Sequence, residues 1–428
     1  MSNKASKRLV PDLRFPEFRD AEEWKQRLIE DFFDVGSSKR VLQQDWTTQG
    51  IPFYRTRELV SLSKNKPFGS EIFISKELFR EISERYGLPA EGDFLVSGVG
   101  TLGISYQVQA QDKFYFKDGN VLWFRLKGGI ISTFFKYCFE ADEIQKQILG
   151  QASISTVGTY TIQNAKVTKF FCPPSTEEQQ QIAACLSSID DLIAAQAKKI
   201  EALKAHKNGL MQQLFPAEGE TVPRLRFPEF WGKNTETSSL RSIVRFSSGG
   251  TPSKDEASYW NGDIPWISAS SMYDENISDS ECKVTPLAIG NGTRIAPKGS
   301  LLILVRGSML FNRVPMGIAV TDVAFNQDVK ALSVCNSVDA SFLLFQLLAL
   351  SKRIPINETG IGAGKIESNV LAELPIYLPS IIEQKKAAKC LSSLGVIITA
   401  QTKKLDTLKT FKQGLMQGLF PSVSEAEA

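Results

Sequence analysis

Four short segments of the sequence combine residue types that carry out chemistry on nucleotides or DNA in other proteins. Glycines spaced G-x-G-x-x-G hold dinucleotides, a Gly-rich loop ending in lysine holds phosphates, and an Asp…Glu-x-Lys set holds a nuclease metal ion. A fourth pattern, a polar residue followed by Pro-Pro and an aromatic residue, holds the target base in amino-methyltransferases. The matching segments here are 98–103, 359–365, Asp12 with residues 23–25, and 172–175.

The surroundings of the two Gly-rich segments argue against nucleotide binding. Residues 104–109 alternate between apolar and polar side chains, which predicts a strand directly after residues 98–103. A turn between strands offers no helix N-terminus to a pyrophosphate. The segment 359–365 lacks the first P-loop glycine, and Ile366 stands where a magnesium-binding hydroxyl is needed.

The other two segments lack necessary side chains. Cys172 offers no amide or carboxylate to a target amine, and Ser175 offers no ring to stack on a base. Asp12 lies outside any predicted strand, and the second copy of its segment has Arg224 instead. His206 is the only histidine and lies off the apolar face of its helix, so histidine-based catalysis is not expected. We therefore expect no catalytic centre, no metal site and no cofactor in this chain.

Composition restricts the remaining classes of protein. The six cysteines form no C-x-x-C pair, which predicts reduced, buried cysteines and neither a zinc site nor a disulfide framework. The net charge is only +3, so a DNA-binding surface would be a local patch. The N-terminus has no apolar leader, and no uninterrupted apolar run reaches about 18 residues. A cytoplasmic protein without a membrane partner is the expectation.

What remains are basic residues interleaved with aromatic and hydroxyl residues, the types that contact phosphates and base edges. Any single one of them is more often a solvated surface residue, but together they predict two DNA-binding surfaces. The candidates in the first half of the chain are Lys39, Arg40, Tyr54, Arg55, Arg57 and Thr101. Those in the second half are Thr251, Ser253, Trp266, Ser268, Ser270, Arg306, Asn312 and Arg313.

An internal duplication determines which elements carry these candidates. Residues 10–18 return as 222–230, and residues 178–216 return without a gap as 383–421, while the blocks between them are dissimilar. The order is therefore variable block, repeated segment, variable block, repeated segment. Joining the two ends of the chain would preserve this order. A cyclic duplication predicts pseudo-two-fold symmetry and termini that lie close together.

The repeated segments predict two long helices. Each begins with a serine three residues before a glutamate, Ser175 with Glu178 and Ser380 with Glu383, which fits a reciprocal capping box. Seam positions then alternate four and three apart, which predicts a coiled coil about 50–55 Å long. The pseudo-two-fold symmetry requires the two helices to pair in antiparallel orientation. We interpret the polar seam residues, including Lys207 and Lys412, as register devices. The seam comprises Ile182, Leu186, Ile189, Ile193, Gln196 and Leu203 in the first helix, and Leu391, Leu394, Ile398, Gln401, Leu405 and Leu408 in the second.

These observations predict an α+β protein with two tandem mixed α/β domains, each with a candidate DNA-binding surface, joined by two long antiparallel coiled-coil helices. Residues 94–97 and 301–305 are predicted buried strands, and residues 77–85 a helix. The predicted divisions are a first recognition domain (1–172), a first helical spacer (173–216), a second recognition domain (217–378), a second helical spacer (379–421) and a polar tail (422–428).

The order of these features resembles the specificity subunit of type I restriction-modification systems. The resemblance covers essentially the whole chain, and its joint order is far more specific than any one motif. It rests on residues 174–179 and 379–384 before the helices, 210–216 closing the first helix, 225–230 opening the second block, and 248–253 with 259–266 inside it.

The resemblance implies a non-catalytic, sequence-specific DNA-recognition subunit. Each variable block would read one half of an asymmetric, interrupted site on double-stranded DNA, and the helices would space the two domains. Two modification subunits carrying S-adenosylmethionine and the methyltransferase chemistry would dock on the repeated segments, and restriction and translocase subunits would complete the complex. Two alternatives remain: a catalytically active DNA methyltransferase or nuclease, and a coiled-coil scaffold that does not bind DNA.

Overall fold

The computed structural model describes residues 9–64, 68–152, 158–360 and 362–421, so the polar tail lies outside the described residues. The chain divides into two compact units. Unit 1 comprises Met1–Gln196 together with Lys404–Ala428, and unit 2 comprises Ala197–Lys403. Each unit contains one variable block and part of both repeated segments. This division differs from the sequence divisions given above, which stay predictions.

Within the described residues, ten strands lie in unit 1 and seven α-helices begin there. The strands are β1 (Lys25–Leu28), β2 (Phe33–Ser37), β3 (Trp46–Thr47), β4 (Ile51–Tyr54), β5 (Phe73–Ile74), β6 (Phe94–Ser97), β7 (Ser105–Gln107), β8 (Tyr115–Phe116), β9 (Val121–Leu126) and β10 (Lys169–Cys172). The helices are α1 (Ile29–Phe32), α2 (Thr56–Ser63), α3 (Lys76–Tyr86), α4 (Ser132–Glu140), α5 (Asp142–Ala152), α6 (Ile162–Lys166) and α7 (Thr176–Leu214), of which α7 ends in unit 2.

Two four-stranded sheets, with strand orders β2-β9-β6-β7 and β3-β5-β4-β8, form the framework of unit 1. Strand β6 is buried along its whole length, as its continuous apolar run predicts. The first sheet packs with α4 and the start of α7 in one core that includes Phe94, Phe135 and Leu186. The predicted strand at 94–97 and helix at 77–85 are both confirmed.

Unit 2 contains fourteen strands and the remaining helices within the described residues. The strands are β11 (Glu236–Ser239), β12 (Val244–Ser248), β13 (Trp260–Ile267), β14 (Asn276–Ile277), β15 (Lys283–Val284), β16 (Arg294–Ala296), β17 (Leu301–Leu304), β18 (Arg306–Gly307), β19 (Met316–Ala319), β20 (Val323–Phe325), β21 (Val329–Val334), β22 (Asn357–Thr359), β23 (Ala363–Lys365) and β24 (Pro375–Leu378). The helices are α8 (Leu240–Ile243), α9 (Ala340–Leu350), α10 (Ser368–Ala372) and α11 (Ile381–Leu419), of which α11 ends in unit 1.

The sheets of unit 2 repeat the strand order found in unit 1. The five-stranded sheet β12-β21-β17-β19-β14 contains the same succession as β2-β9-β6-β7, and β15-β13-β20 matches β5-β4-β8. Strand β17 is fully buried in the centre of its sheet, which confirms the prediction for residues 301–304. Two blocks with dissimilar sequences therefore have the same internal construction, as the predicted duplication requires.

The two long helices are each 39 residues long, which corresponds to about 58 Å at 1.5 Å per residue. In unit 1, Leu186 of α7 shares a core with Leu419 of α11. In unit 2, Leu214 of α7 shares a core with Leu391 of α11. The early part of each helix thus packs with the late part of the other, which confirms the antiparallel prediction.

The seam candidates lie on the inner side of these helices. None of the seam side chains is exposed, whereas most side chains at the helix positions between them are exposed. Ile182, Leu186, Ile189, Gln196 and Leu391 are buried, and Ile193, Leu203, Leu394, Ile398, Gln401, Leu405 and Leu408 are half-buried. His206, by contrast, is exposed.

The beginning and the end of the described chain meet inside unit 1. The Leu13 amide donates a hydrogen bond to the carbonyl oxygen of Gly418 at 2.8 Å. The rings of Trp24 and Phe420 pack edge to face with centroids 6.2 Å apart. The adjacency predicted from the cyclic order of the repeats is therefore confirmed for the two ends of the described residues.

The predicted capping boxes are only half correct. The hydroxyl of Ser175 accepts from the Glu178 amide at 3.2 Å, but the Glu178 carboxylate does not reach back to the serine. It accepts two hydrogen bonds from Arg14, at 2.8 and 2.7 Å, and one from the Trp24 indole at 3.1 Å. The reason is burial: an enclosed carboxylate is stabilised far more by a cation than by a backbone amide.

In the second copy the equivalent glutamate also pairs with an arginine and does not complete the capping box. Glu383 accepts from the guanidinium of Arg226 at 2.7 and 2.8 Å, while Ser380 accepts from the Glu383 amide at 3.4 Å. Arg14 and Arg226 are equivalent residues of the repeated segments 10–18 and 222–230. A buried Arg–Glu pair therefore fastens each short repeated segment to the start of a long helix within its own unit.

All six cysteines are free, as predicted, but the prediction that all are buried is wrong. Cys138 and Cys172 are buried, and burial raises the pKa of both thiols. Cys282 and Cys335 are exposed, since both lie in polar connecting segments outside strands and helices.

Candidate nucleic-acid interface

Strands β2, β4, β6 and β8 of unit 1 end at a common edge, where the turn 117–120 leads into β9. The amide of Lys117 donates to the Tyr54 carbonyl oxygen at 2.8 Å, and the Gly98 amide donates to the Asn120 carbonyl oxygen at 2.9 Å. The Gly119 amide donates to the Ser37 hydroxyl at 3.2 Å. This turn, called the first junction turn below, therefore brings together the segments that carry the candidate residues of unit 1.

Lys39 and Arg40 directly follow the end of β2 and are both exposed. The backbone of Lys39 is fixed by a hydrogen bond from its amide to the Tyr115 hydroxyl at 2.8 Å. The Arg40 guanidinium lies 3.4 Å from the Asp118 carboxylate in the first junction turn. Both cations thus face solvent from a backbone anchored at the common edge.

Tyr54 ends β4, and its ring packs against Phe114 with centroids 4.8 Å apart. Burial raises the pKa of its hydroxyl, and a hydrogen bond with Ser70 opposes that rise only in part. Tyr54 is half-buried, so much of its surface supports the domain, leaving only part of the ring for a ligand.

Arg55 and Arg57 share a carboxylate that the sequence analysis did not identify. Glu58 accepts from the Arg55 guanidinium at 3.2 and 2.8 Å and from that of Arg57 at 3.2 and 3.1 Å. Burial raises the pKa of Glu58, but its hydrogen bonds with Arg55 outweigh burial, so the pKa lies below its usual value. Glu58 follows Arg55 by three residues at the start of a helix. This spacing is typical of a capping glutamate, so the sequence could have identified Glu58.

Thr101 lies in the turn between β6 and β7 and is exposed. The hydroxyl of Ser97 donates to the Thr101 carbonyl oxygen at 2.5 Å and closes this turn. The segment 98–103 is therefore a turn between two strands, as predicted, and no helix begins there. The other Gly-rich segment joins the antiparallel strands β22 and β23, with residue 361 outside the described residues.

Unit 2 has an equivalent edge, formed around the second junction turn, residues 326–328. The Asn326 amide donates to the Ile267 carbonyl oxygen at 3.0 Å, and the Val305 amide donates to the Asp328 carbonyl oxygen at 2.8 Å. The hydroxyl of Thr251 donates to the Gln327 side chain at 2.7 Å. The ends of β12, β13 and β17 therefore meet at this turn.

The Gly-Gly pair before Thr251 permits this close approach. A Cβ atom at Gly249 would lie 2.0 Å from the Phe325 carbonyl oxygen, and one at Gly250 would lie 2.2 Å from the Gly292 carbonyl oxygen. Real side chains do not tolerate such distances. The indole of Trp266 donates to the Gly250 carbonyl oxygen at 3.1 Å.

Ser253 is held in the same cluster by a second tryptophan. The Trp260 indole donates to the Ser253 carbonyl oxygen at 2.9 Å, and its ring packs edge to face on Trp266 with centroids 5.5 Å apart. The candidates Thr251 and Ser253 thus lie in one cluster with Trp266, which is on a different strand.

Ser268 and Ser270 follow the end of β13, and their hydroxyl oxygens lie 2.9 Å apart. Arg313 donates to the Met272 carbonyl oxygen at 2.8 Å and to that of Tyr273 at 3.5 Å. Its guanidinium therefore holds the end of the serine-rich turn, so part of its hydrogen-bonding capacity is already used.

Arg306 and Asn312 lie on the connection from β17 to β19, and both are exposed. The backbone of Arg306 is fixed in β18, opposite Lys365 of β23. Among the described residues Arg306 takes part in no ion pair. It is therefore the candidate whose guanidinium is most available to an added anion.

In each unit the structure thus gathers the candidate residues at the loop edge of the sheets, and their contacts with DNA stay predictions. The arrangement offers hydroxyl, amide, indole and guanidinium groups on fixed backbones, which suits hydrogen bonding to phosphates and base edges. Within the described ranges no group of three or more His, Cys, Asp or Glu side chains could hold a metal ion. None of the helices described is both long and apolar enough to cross a membrane.

Each unit is a mixed α/β domain with a polar loop edge, joined to halves of two antiparallel helices. The family model described as the type I restriction modification DNA specificity domain matches residues 21–205 and again residues 232–410. Since the two matches cover most of the chain, the chain belongs to this family and contains two of its domains.

Individual relatives agree with the family match. The chain is 27% identical over 243 residues to the EcoR124I/EcoR124II specificity subunit of Escherichia coli, covering 55% of this chain and 57% of that protein. It therefore aligns with little more than half the length of this curated relative. The putative MjaX specificity subunit of Methanocaldococcus jannaschii is 23% identical over 92% of both chains.

A solved structure shares the fold of the whole chain. The type I restriction-modification S subunit from M. genitalium superposes with a TM-score of 0.55 at 17% identity, covering 96% of this chain and 99% of the other. At this level of identity the likeness concerns the fold alone.

Proposed function

We propose that this chain is the DNA specificity subunit of a type I restriction-modification complex and reads an asymmetric, two-part DNA sequence. The observation that carries the proposal is the gathering of candidate residues at the first and second junction turns, one on each specificity domain. Groups that are distant in sequence come together only at these edges, where their backbones are fixed by hydrogen bonds.

The chemistry of the two edges supports an asymmetric target. The edge of unit 1 presents mainly basic and aromatic groups, including Arg40, Arg55 and Arg57. The edge of unit 2 presents mainly hydroxyl and indole groups with Arg306. Because arginine favours guanine edges and hydroxyl groups accept several partners, two such surfaces would read different base sequences.

The long helices would serve as scaffold and spacer. Their length of about 58 Å corresponds to about 17 base pairs at ~3.4 Å each. Two short half-sites with roughly one helical turn between their centres fit within that length. The repeated outer surfaces of the helices would receive two modification subunits.

The catalytic activity would come from partner subunits. The relatives are named as subunits of restriction enzymes, which supports this proposal. Two modification subunits would bring S-adenosylmethionine and transfer methyl groups, and restriction and translocase subunits would complete the complex in the cytoplasm. This chain would contribute binding and no catalytic group. Saturable binding of S-adenosylmethionine to the isolated chain, measured by calorimetry, would instead favour a catalytically active methyltransferase.

The experiment is to produce the chain together with the modification subunits of its own system and to map methylated adenines across the host genome. We expect a single interrupted motif with two different halves. A contiguous motif, or no methylation that depends on this chain, would contradict the proposal. The second outcome would favour a scaffold that does not read DNA.

Arginine variants assign the halves to the units. Arg306→Ala should weaken recognition of one half only, by about 1–3 kcal/mol if the guanidinium contacts a base. Arg40→Ala should affect the other half. Equal methylation at all sites in both variants would remove these residues from the interface.

A further inference from the structure

Two equivalent lysines of the long helices, Lys207 and Lys412, pair with carboxylates from different parts of the fold. In unit 1, the ammonium group of Lys412 on α11 lies 2.7 Å from the Asp190 carboxylate on α7. It also lies 5.0 Å from the ring centroid of Tyr137, whose hydroxyl donates to Asp190 at 2.8 Å. In this unit, α7 therefore supplies the nearer carboxylate for the lysine of α11, and Glu140 at the end of α4 supplies a second one at 3.5 Å.

Unit 2 lacks the carboxylate of the other long helix and the ring hydroxyl that surround the equivalent lysine in unit 1. Lys207 repeats Lys412, but Gly395 stands where the repeat would place an aspartate. Phe345 lies 5.0 Å from the Lys207 ammonium group, in the place that Tyr137 takes in unit 1. Phenylalanine has no hydroxyl, so neither the helix nor the ring supplies an acceptor.

Glu275 fills this gap from the variable block. Its carboxylate accepts from Lys207 at 2.5 Å. A Cβ atom at Gly395 would lie 3.5 Å from the Lys207 ammonium nitrogen and 3.8 Å from the Glu275 carboxylate. The carboxylate of Glu275 therefore occupies the space that an aspartate side chain at position 395 would enter.

Glu275 ends the segment that carries two of the candidate DNA contacts. This segment, residues 268–275, begins with Ser268 and is held in its middle by Arg313. At its end the Ile318 amide donates to the Glu275 carbonyl oxygen at 2.8 Å. Only the Glu275 side chain reaches from this segment to Lys207 among the described contacts.

We propose that the Lys207–Glu275 ion pair is a positioning contact for DNA recognition by unit 2, because it anchors the 268–275 segment to the long helix. The Lys207 side chain is only 10% exposed, so removal of the carboxylate would leave a largely desolvated ammonium group without a compensating charge. In unit 1 the equivalent ion pair joins the two long helices and contacts α4 through Glu140 and Lys136, so it anchors no segment that carries candidate DNA contacts. The inference rests on the proposed function of the chain.

Two variants separate anchoring from simple stabilisation. Glu275→Ala removes the carboxylate and the anchor. Glu275→Ala combined with Gly395→Asp returns a carboxylate to Lys207 from the helix, as in unit 1, but leaves the segment unanchored. Position 395 is helical and has room for the side chain once Glu275 is shortened.

DNA binding is measured with the complex of this chain and its modification subunits. The DNA is a duplex that carries the methylated motif mapped for the wild type, and each competitor duplex has one half of this motif scrambled. Thermal unfolding of the chain is followed in parallel. Asp190→Ala is the matched control, since it disturbs the equivalent pair of unit 1 without touching a recognition segment.

Glu275→Ala should lower the thermal midpoint and weaken discrimination of one half-site about tenfold, which corresponds to about 1.4 kcal/mol. The double variant should recover the thermal midpoint but not the discrimination. Asp190→Ala should lower the midpoint and leave the relative discrimination of the halves unchanged.

Recovery of discrimination together with the midpoint in the double variant would overturn the proposal, because the pair would then act through stability alone. Unchanged discrimination in Glu275→Ala would also overturn it. A wild-type complex without sequence-dependent binding would reject the proposed function itself, an outcome recognised before any variant is made.

Discussion

Removal of Glu178 should destabilise unit 1 more than any other single change considered, because the residue balances a buried charge. The side chains of Arg14 and Glu178 are 5% and 1% exposed. The carboxylate accepts two hydrogen bonds from Arg14 and one from Trp24. In Glu178→Ala the guanidinium would stay buried with only the carbonyl oxygens of Ala21 and Glu22 as acceptors.

The expected loss is about 3–5 kcal/mol, the typical result of breaking one half of a buried ion pair. In a unit of this size each kcal/mol lowers the thermal midpoint by about 2–4 °C. The midpoint of unit 1 should therefore fall by about 6–20 °C. Circular dichroism gives the overall transition, and Trp24, which packs beside the pair, adds a local fluorescence signal.

The control is Glu177→Ala, one residue earlier on the same helix. Glu177 is exposed, accepts a hydrogen bond from Ser175 and balances no buried charge, so its removal should change the midpoint little. Replacing both Arg14 and Glu178 with leucine should cost less than Glu178→Ala, because no charge is left unpaired. A midpoint for Glu178→Ala within 2 °C of the control, by roughly the same conversion, would refute the reasoning.

Three further changes test other parts of the account. Gly249→Ala should disrupt the second junction turn and abolish recognition of one half-site, since its Cβ would lie 2.0 Å from the Phe325 carbonyl oxygen. The control is Gly414→Ala in a helix, where the added Cβ meets open space. This control should leave recognition intact in the same methylation map. Glu58→Gln should weaken binding of the other half-site in a competition assay, because the buried carboxylate orients two arginines; unchanged binding would show that these arginines are not used. Asp190→Asn should lower the thermal midpoint near neutral pH but not at low pH: burial raises the pKa of Asp190, yet the hydrogen bond from its lysine partner outweighs burial and lowers it. The contribution is thus complete above the unfolded-state pKa of about 3.9 and is lost as pH falls through the folded-state value, and a difference from wild type that persists in strong acid would contradict this.

Sequence patterns predicted the parts of the fold that depend on local periodicity or on repetition. The heptad spacing of residues such as Leu186 and Leu391 predicted two long helices that pair, and the pseudo-two-fold symmetry of the repeats predicted that the pairing is antiparallel. The cyclic order of the repeats predicted that the ends of the chain meet, as Leu13 and Gly418 do. Both signals can be read without knowing which strands are neighbours.

Contacts between distant residues could not be predicted in this way. Arg14 and Glu178 are 164 residues apart, and the serine before Glu178 offered a local partner that fitted a known motif. Burial made the distant cation the better partner. The order of strands in the sheets, which gathers the candidate residues at one edge, is likewise set by packing and leaves no local signal.

The replacement of the missing aspartate by Glu275 could not be predicted from the sequence either. Gly395 indicates only that an aspartate is missing, and nothing in the local sequence around Glu275 shows that it takes over. Glu58 is different, because its spacing from Arg55 is a local signal. The candidate interface was therefore predicted at the level of residue types, while the residues that hold them in place required the structure.

The central claim is that the variable blocks read DNA and the long helices set the spacing between the two halves. The most direct test replaces residues 217–378 with the corresponding block of a relative of different specificity and maps methylated adenines in cells that also produce the modification subunits. One half of the motif should change, while the other half and the number of unread base pairs stay the same. A change in both halves, or an unchanged motif, would contradict the account.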